Sequence, residues 1–355
     1  MSSDVPKQIA YAIYFLPDDD EMKFVTGNAV ATPNLLENNK LKSGFLIAPF
    51  QENDKCKTIL IENKTYIVGE PDIKSFIDDP SLNLSPSSGS SDTVAMAKED
   101  YETAVESLVN DLKNDADFEK AVLARAKNVS LKNNFSSFSL LKKLKTLMPK
   151  AFCFIVNTPQ SGMWMGATPE RLLRVNSKEA YTCALAGTLP VDSEQNWSEK
   201  EIVEQGYVAD YIAENLTNIG IDNFSKSELK TIKSGTVKHL LTDFNFEIKN
   251  EKEIIKIIDT LHPTPAVCGM PLAKAKDAIK KYESTARNYY SGYLGSMNID
   301  NTTQLFVNLR SMQVSKNTAT LYVGAGITEG SIPENEWEET EVKAKTLINA
   351  IEEKR

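Results

Sequence analysis

Two segments of this 355-residue chain carry carboxylates at spacings that could hold a cation. In PENEWEETEVKAKTL, Glu336, Glu339 and Lys343 fall at steps of three and four, so a helix puts them on one face. In SEKEIVEQGYVADYI, Glu201 and Glu204 also lie three apart. One carboxylate from each helix could hold Mg²⁺, which keeps several waters and takes only one or two protein carboxylates. Each helix taken alone is more simply a solvated charged face with an intrahelical Glu–Lys pair.

Other residues attract attention singly. The segment LYVGAGI reads as a strand running into a glycine loop, Gly324-Ala325-Gly326, whose backbone N–H groups could face an anion or simply meet a backbone need. Arg310 lies in the apolar strand LFVNLRSMQV, and a guanidinium there wants a carboxylate from protein or ligand. Lys120 opens the apolar strand KAVLARAKNVSL and Glu170 sits at the turn ATPERLL, places where a solvated end and a cap are the ordinary readings. LHPTPAVCGMP combines two rigid prolines with a run of small residues. It holds His262, one of two histidines; the other is His239. With no CxxC spacing among Cys56, Cys153, Cys183 and Cys268, a zinc cage is not expected, and buried reduced thiols are.

The elements that must position these residues form a pattern of strands in runs. Residues 1–75 are strand-rich (QIAYAIYFL, SGFLIAPF, TILIENKTYIV), and PSLNLSPSSGSSD, 80–92, reads as an exposed loop or linker. A helix is expected from Ser91 or Asp92 to Asn114, with others over 198–218, 252–261, 271–283 and 333–353. Strands are expected at 120–131, AFCFIVNT, MWMGATPERLLRV, AYTCALAGTL, LKTIKSGTVKHLL, FNFEIK, YYSGYLGSMNI, LFVNLRSMQV and ATLYVGAGI. Few βαβ units occur, so the expected class is α+β, with large, mostly antiparallel sheets packed together and helices outside. The expected division is a variable strand-rich region, 1–90, that completes the sheets of a core, 91–355. Hydrophobic residues make up 41% and net charge is −9, which supports a sizeable core and argues against nucleic acid as partner. No apolar run is long enough to span a bilayer and MSSDVPKQ lacks a signal-peptide pattern, so a cytoplasmic protein without membrane attachment is expected.

Read in order, KAVLARAKNV, GATPERLL, ALAGTLP, SEKEIVEQGYVADYI, SGTVKHLL, HPTPAVCGMP, YESTARNYYSGYLG, LFVNLRSMQV, LYVGAGI and ENEWEETEVKAKTL resemble the chorismate-utilising enzymes. These are the isochorismate and salicylate synthases and the large subunits of anthranilate and aminodeoxychorismate synthases. The resemblance covers roughly residues 95–355 and implies the anthranilate/aminodeoxychorismate synthase-like fold. It implies chorismate as substrate, Lys120 as general base and Glu170 as general acid. Glu204 and Glu339 match Mg²⁺ carboxylates, with Glu336 close by. Arg310 and the backbone of Gly324, Ala325 and Gly326 match the binder of the enolpyruvyl carboxylate, and Lys343 a further contact. Gly187 matches a turn beside the ring carboxylate, and His239 the family's active-site histidine.

Two positions separate the branches within that resemblance. Aminodeoxychorismate synthases carry a ring-attacking lysine where ALAGT has Ala186, so covalent amination is not expected. Lys120 argues against the ammonia-using branches, and no obligatory glutaminase subunit is expected. Salicylate and anthranilate-type members tend to carry Thr where Ala266 stands; a hydroxyl there accompanies pyruvate elimination. The expectation is a monomeric isochorismate synthase, serving menaquinone biosynthesis. A siderophore-pathway enzyme and a salicylate synthase are the alternatives, followed by an anthranilate synthase large subunit and a non-catalytic chorismate-binding protein.

Overall fold

The computed structural model describes residues 9–78, 93–234 and 237–352. The 80–92 segment expected to be a loop, and the helix start expected at Ser91 or Asp92, lie outside the described residues. Two compact units divide the chain: unit 1 is Met1–Asp92, Val129–Ser177 and Asn288–Thr320, and unit 2 is Thr93–Asn128, Lys178–Arg287 and Leu321–Arg355. The described residues of the first segment, 9–78, are therefore grouped with two later segments rather than standing by themselves.

Unit 1 is built from two antiparallel sheets. The strands of its first segment are β1 (Ala10–Phe15), β2 (Lys23–Gly27), β3 (Ala29–Ala31), β4 (Leu36–Glu37), β5 (Lys40–Leu41), β6 (Gly44–Ala48), β7 (Ile59–Glu62) and β8 (Thr65–Val68), followed by helix α1 (Glu70–Ile77). The second segment adds helix α3 (Ser137–Leu147) and strands β10 (Phe152–Thr158), β11 (Gly162–Thr168) and β12 (Arg171–Asn176); the third adds β18 (Tyr293–Ile299), β19 (Thr302–Val307) and β20 (Ser311–Val314). One sheet runs β20-β11-β10-β1-β2-β8 and the other β12-β19-β18-β6-β7-β3, while β4 and β5 form a small ribbon. The sheets face each other through aromatic rings. Tyr14 and Phe152 from the first meet Phe45 and Phe306 from the second, and Phe152 stacks on Phe306 at 4.2 Å between centroids. Every residue of β10 and β11 is buried, so these strands read as continuous apolar runs rather than alternating ones.

Unit 2 carries most of the helices. They are α2 (Lys98–Asn114), α4 (Glu199–Asn218), α5 (Glu251–Leu261), α6 (Leu272–Tyr282) and α7 (Pro333–Glu352). Its strands are β9 (Lys120–Ser130), β13 (Glu179–Pro190), β14 (Phe224–Lys226), β15 (Lys230–Ser234), β16 (Val237–Glu247), β17 (Gly269–Met270) and β21 (Thr318–Ile327); β9 and β21 each have an end outside the unit. One strand group is ordered β17-β9-β21, the other β14-β16-β13 with β15 also on β16. Helix α2 begins at Lys98, so Val94, inside the span expected to be helical, precedes the helix and is 73% exposed. HLL and FNFE, expected on separate strands, belong to the single strand β16, because Thr242 and Asp243 keep the pairing with β13 unbroken.

Two expectations about site residues are corrected by the backbone. LFVNLRSMQV is not one strand: β19 and β20 belong to different sheets, and the chain crosses between them at Asn308-Leu309-Arg310, with Arg310 at φ 46°. Conversely, Gly324-Ala325-Gly326 is not a loop but lies within β21, and Ala325 is fully buried.

Candidate active site

In unit 1, Glu170 and Arg310 stand at neighbouring crossings between the two sheets. The chain leaves β11 for β12 through Pro169-Glu170, and leaves β19 for β20 through 308–310. The crossings are laced together. Val307 N donates to Glu170 O (2.9 Å), Ala167 N to Arg310 O (3.1 Å), and Thr168 Oγ1 to Val307 O (2.7 Å). Glu170 is buried, and Arg310 feels its carboxylate. Burial pushes the Arg310 pKa down to about 10, while the Glu170 charge pulls it back up. Arg310 thus keeps its positive charge at neutral pH, a fixed cation for an anionic group.

In unit 2, β9 supplies Lys120. The LHPTPAVCGMP segment is strung along the edge of this strand. Gly269 and Met270 pair with Ala121 and Lys120, Val122 N donates to Cys268 O (2.9 Å), and Glu119 N to Met270 O (3.0 Å). Gly269 is required here. Its φ is 128°, and a Cβ would lie 2.2 Å from Lys120 O. Val267 N and Cys268 N both donate to Thr264 O, so the turn that carries half-buried Ala266 is closed within itself. Pro271 caps α6, as the sequence suggests.

Lys120 Nζ forms an ion pair with Glu204 Oε1 of α4; the lysine side chain is only 5% exposed. Gly326 of β21 leaves room for this pair. A Cβ there would stand 2.8 Å from Lys120 Cε, 3.3 Å from Nζ and 3.5 Å from Glu204 Oε1. Two residues earlier, Gly324 O accepts a hydrogen bond from Lys343 Nζ (2.8 Å), and the same ammonium reaches Glu339 Oε1 (2.6 Å). Unit 2 therefore gathers Lys120, Glu204 and Gly326 at one point of β21, and Lys343, Glu339 and Gly324 at another. Glu336, in the first turn of α7, is buried. Glu201, spaced like Glu204, is taken up by the helix start: its carboxylate accepts from Ser198 N (2.7 Å), as in a capping box.

His239 of β16 is buried, and its Nδ1 donates to Gly187 O at 2.8 Å. A carbonyl can only accept, so Nδ1 carries the proton. Gly187 sits where the β13–β16 register slips, between Ala186 and Leu189. Gln205 Nε2 donates to Thr242 Oγ1 (2.8 Å), tying α4 to β16 one residue from Glu204.

Several supporting residues escape a reading of the sequence for chemistry. Arg125, within β9, stacks its guanidinium 3.7 Å from the centre of the Trp337 ring, donates to Thr340 Oγ1 (2.8 Å) and pairs with Glu341 Oε1 (2.5 Å). It grips α7 on the flank adjoining the Glu336–Glu339–Lys343 face and so fixes the rotation of that face. Arg287 and Glu283 form a second buried pair. Arg287 donates to Glu283, to Val267 O (2.7 Å) and to Val122 O (2.6 Å), and Glu283 accepts from Ala124 N (2.8 Å). The pair thus ties the Ala266 turn to β9. A charge inside an apolar strand, the signal noted for Arg310, was equally present at Arg125.

A hard cation would find only carboxylate oxygens among Glu204, Glu336 and Glu339, a donor set suited to Mg²⁺. Among the described residues no three His, Cys, Asp or Glu side chains are grouped closely enough to hold a metal between them. The cysteines are buried free thiols. Among the described residues no helix is long and apolar enough to cross a membrane.

This combination of paired antiparallel sheets with the Lys120 and Glu170 motifs is that of a chorismate-binding protein, and comparison with known families agrees. The family described as "Chorismate binding enzyme" matches residues 29–352, and the chain belongs to it. Chloroplastic isochorismate synthase 2 of Arabidopsis thaliana is 31% identical over 244 residues, which cover 66% of this chain and 43% of the plant protein. Isochorismate synthase MenF of Bacillus subtilis is 28% identical over 268 residues, covering 72% of this chain and 56% of that protein. The chain thus matches about half the length of these relatives. The structure of MenF, the menaquinone-specific isochorismate synthase of Escherichia coli, shares the fold with a TM-score of 0.78 at 20% identity, over 98% of this chain and 90% of that one.

Proposed function

We propose that this protein is a Mg²⁺-dependent isochorismate synthase. The observation that carries the reading is the buried Lys120 ammonium held beside Glu204, with Gly326 keeping the space open, in a member of a chorismate-binding family. A buried lysine at this position can activate water once it is a neutral amine freed from that pairing, and Ala186 offers no amine to attack the ring.

The reaction adds water at ring carbon 2 and expels the hydroxyl from carbon 4, with a shift of the double bonds. Lys120 Nζ, as the neutral amine, takes a proton from the attacking water as the C2–O bond forms and becomes the ammonium. Glu170 gives its proton to the carbon 4 oxygen, which leaves as water as the C4–O bond breaks. Arg310, the backbone of Gly324–Gly326 and Lys343 are each assigned, from the family resemblance, to the enolpyruvyl carboxylate. Gly187 and His239 shape the ring end. Glu204 and Glu339, with Glu336 nearby on α7, are the carboxylates that would hold Mg²⁺, and the bound ion would supply positive charge for the ring carboxylate.

The test is direct. Purified protein incubated with chorismate and Mg²⁺ is expected to give isochorismate by chromatography and no product with EDTA. Recovery of chorismate alone, or formation of salicylate and pyruvate, overturns the reading. Ala266 marks where the reaction stops, since it brings no hydroxyl to the turn beside β9. Ala266→Thr is expected to raise pyruvate release in a lactate dehydrogenase-coupled assay, and unchanged pyruvate removes that role.

A methyl group at Gly326 would displace the Lys120 side chain. Gly326→Ala is expected to lower kcat by roughly 10²-fold, the scale on which misplacement of about 1 Å acts. Near-normal turnover would show that the space beside Lys120 is not needed. The product is an activated diene acid that relatives place in more than one route, since isochorismate synthases named MenF and a vibriobactin-specific isochorismate synthase both match this chain. Menaquinone biosynthesis is our preferred assignment.

A further inference from the structure

Both lysines of the site are tied to a carboxylate proposed for the cation. Lys120 pairs with Glu204 and Lys343 with Glu339. The two pairs are unequal. Lys120 has a 5% exposed side chain and Glu204 is 27% exposed, whereas Lys343 and Glu339 are 32% and 45% exposed and adjoin along one helix. An exposed intrahelical pair contributes little, but an ammonium as enclosed as Lys120 depends on its counter-charge. Gly326 lets the pair close, since any side chain there would enter the space of Lys120 Cε and Nζ.

From this arrangement we propose that Lys120 and the cation compete for Glu204. In the cation-free protein the ammonium of Lys120 occupies the carboxylate. Mg²⁺ binding displaces it, so one event fills the metal position and releases the lysine toward its water. The proposal rests on the Mg²⁺ reading above and adds an ordering to it. Lys120 is bound as a structural cation until the metal takes its place. Lys343 stands in the same relation to Glu339, more weakly.

The test measures the metal alone, without chorismate. Mg²⁺ binding is followed by isothermal titration calorimetry, and Mn²⁺ binding by electron paramagnetic resonance. Lys120→Met is expected to bind either ion about tenfold more tightly than the natural protein, the size of coupling usual between groups that share a site. Lys120→Gln should rank the same way, which guards against a fault peculiar to one variant. Lys127→Met removes an equal charge from the same strand, where Lys127 pairs instead with Glu341, and is expected to leave affinity unchanged. Glu204→Gln should weaken binding at least as much as Lys120→Met strengthens it. If Lys120→Met binds no more tightly than the natural protein, or Lys127→Met gains as much, the competition is overturned while the metal reading stands. If Glu204→Gln binds the ions as the natural protein does, the metal role of Glu204 itself is lost.

Discussion

Lys120→Gln is expected to lower kcat by roughly 10²–10⁴-fold, the range over which a positioned general base acts. The amide keeps much of the lysine's length and can still donate to Glu204, so the strand and α4 should stay in place. What it cannot do is take a proton from water. In the proposed mechanism substrate binding is assigned to Arg310 and the β21 backbone rather than to Lys120, so KM should change far less than kcat. Glu170→Gln should give a comparable loss for the complementary reason, because an amide cannot protonate the leaving hydroxyl. Its place in the crossing is held by backbone bonds, Val307 N to Glu170 O and Glu170 N to Thr168 Oγ1, which the substitution leaves intact. Chromatographic product formation, with circular dichroism to confirm folding, decides both. Turnover within a few-fold of the natural protein in either variant would remove that residue from the mechanism.

Removal of Arg287 should have the largest effect on stability. Arg287→Leu is expected to cost about 3–5 kcal/mol, measured by urea unfolding, because it leaves Glu283 buried without its counter-charge and strands the Val267 and Val122 carbonyls. Replacing both partners, Arg287→Leu with Glu283→Leu, should cost less than the single change, since no uncompensated charge is then buried. The pH dependence has a defined sign. Burial raises the Glu283 pKa above its ordinary 4.5, and Arg287 pulls it down. Without Arg287 the carboxyl is raised further, so it favours folding most where it is protonated, below about 4.5, and loses that contribution as pH rises. The deficit of Arg287→Leu relative to the natural protein should therefore be smaller near pH 4.5 than near pH 7. A deficit independent of pH would show that lost hydrogen bonds, not the stranded carboxylate, dominate.

Local pattern was enough where one element explains itself. The helices expected over 198–218, 271–283 and 333–353 are α4, α6 and α7, and the steps of three and four among Glu336, Glu339 and Lys343 fit the last of them. The apolar run after Lys120 is indeed β9. The motif blocks placed the chain in its family because they carry chemistry as well as folding information.

The misreadings arose where the outcome depends on distant partners. The alternation of LFVNLRSMQV looks the same whether a strand continues or passes from one sheet to another; Arg310 at φ 46° is set by the bonds that hold the crossing to 166–170. Gly-Ala-Gly suggests a loop by composition, yet it stays in a strand because β9 and the Lys120 side chain approach it too closely for larger residues. Glu201 and Glu204 have the same spacing and type, but one caps its helix and the other meets Lys120, 84 positions away in sequence. Residue type and periodicity thus determined which groups could do chemistry and which elements carry them. Only the tertiary structure decided which carboxylate meets which cation, because a charge is satisfied by whatever the folded chain brings within reach, and sequence spacing sets that reach only within a single helix or strand.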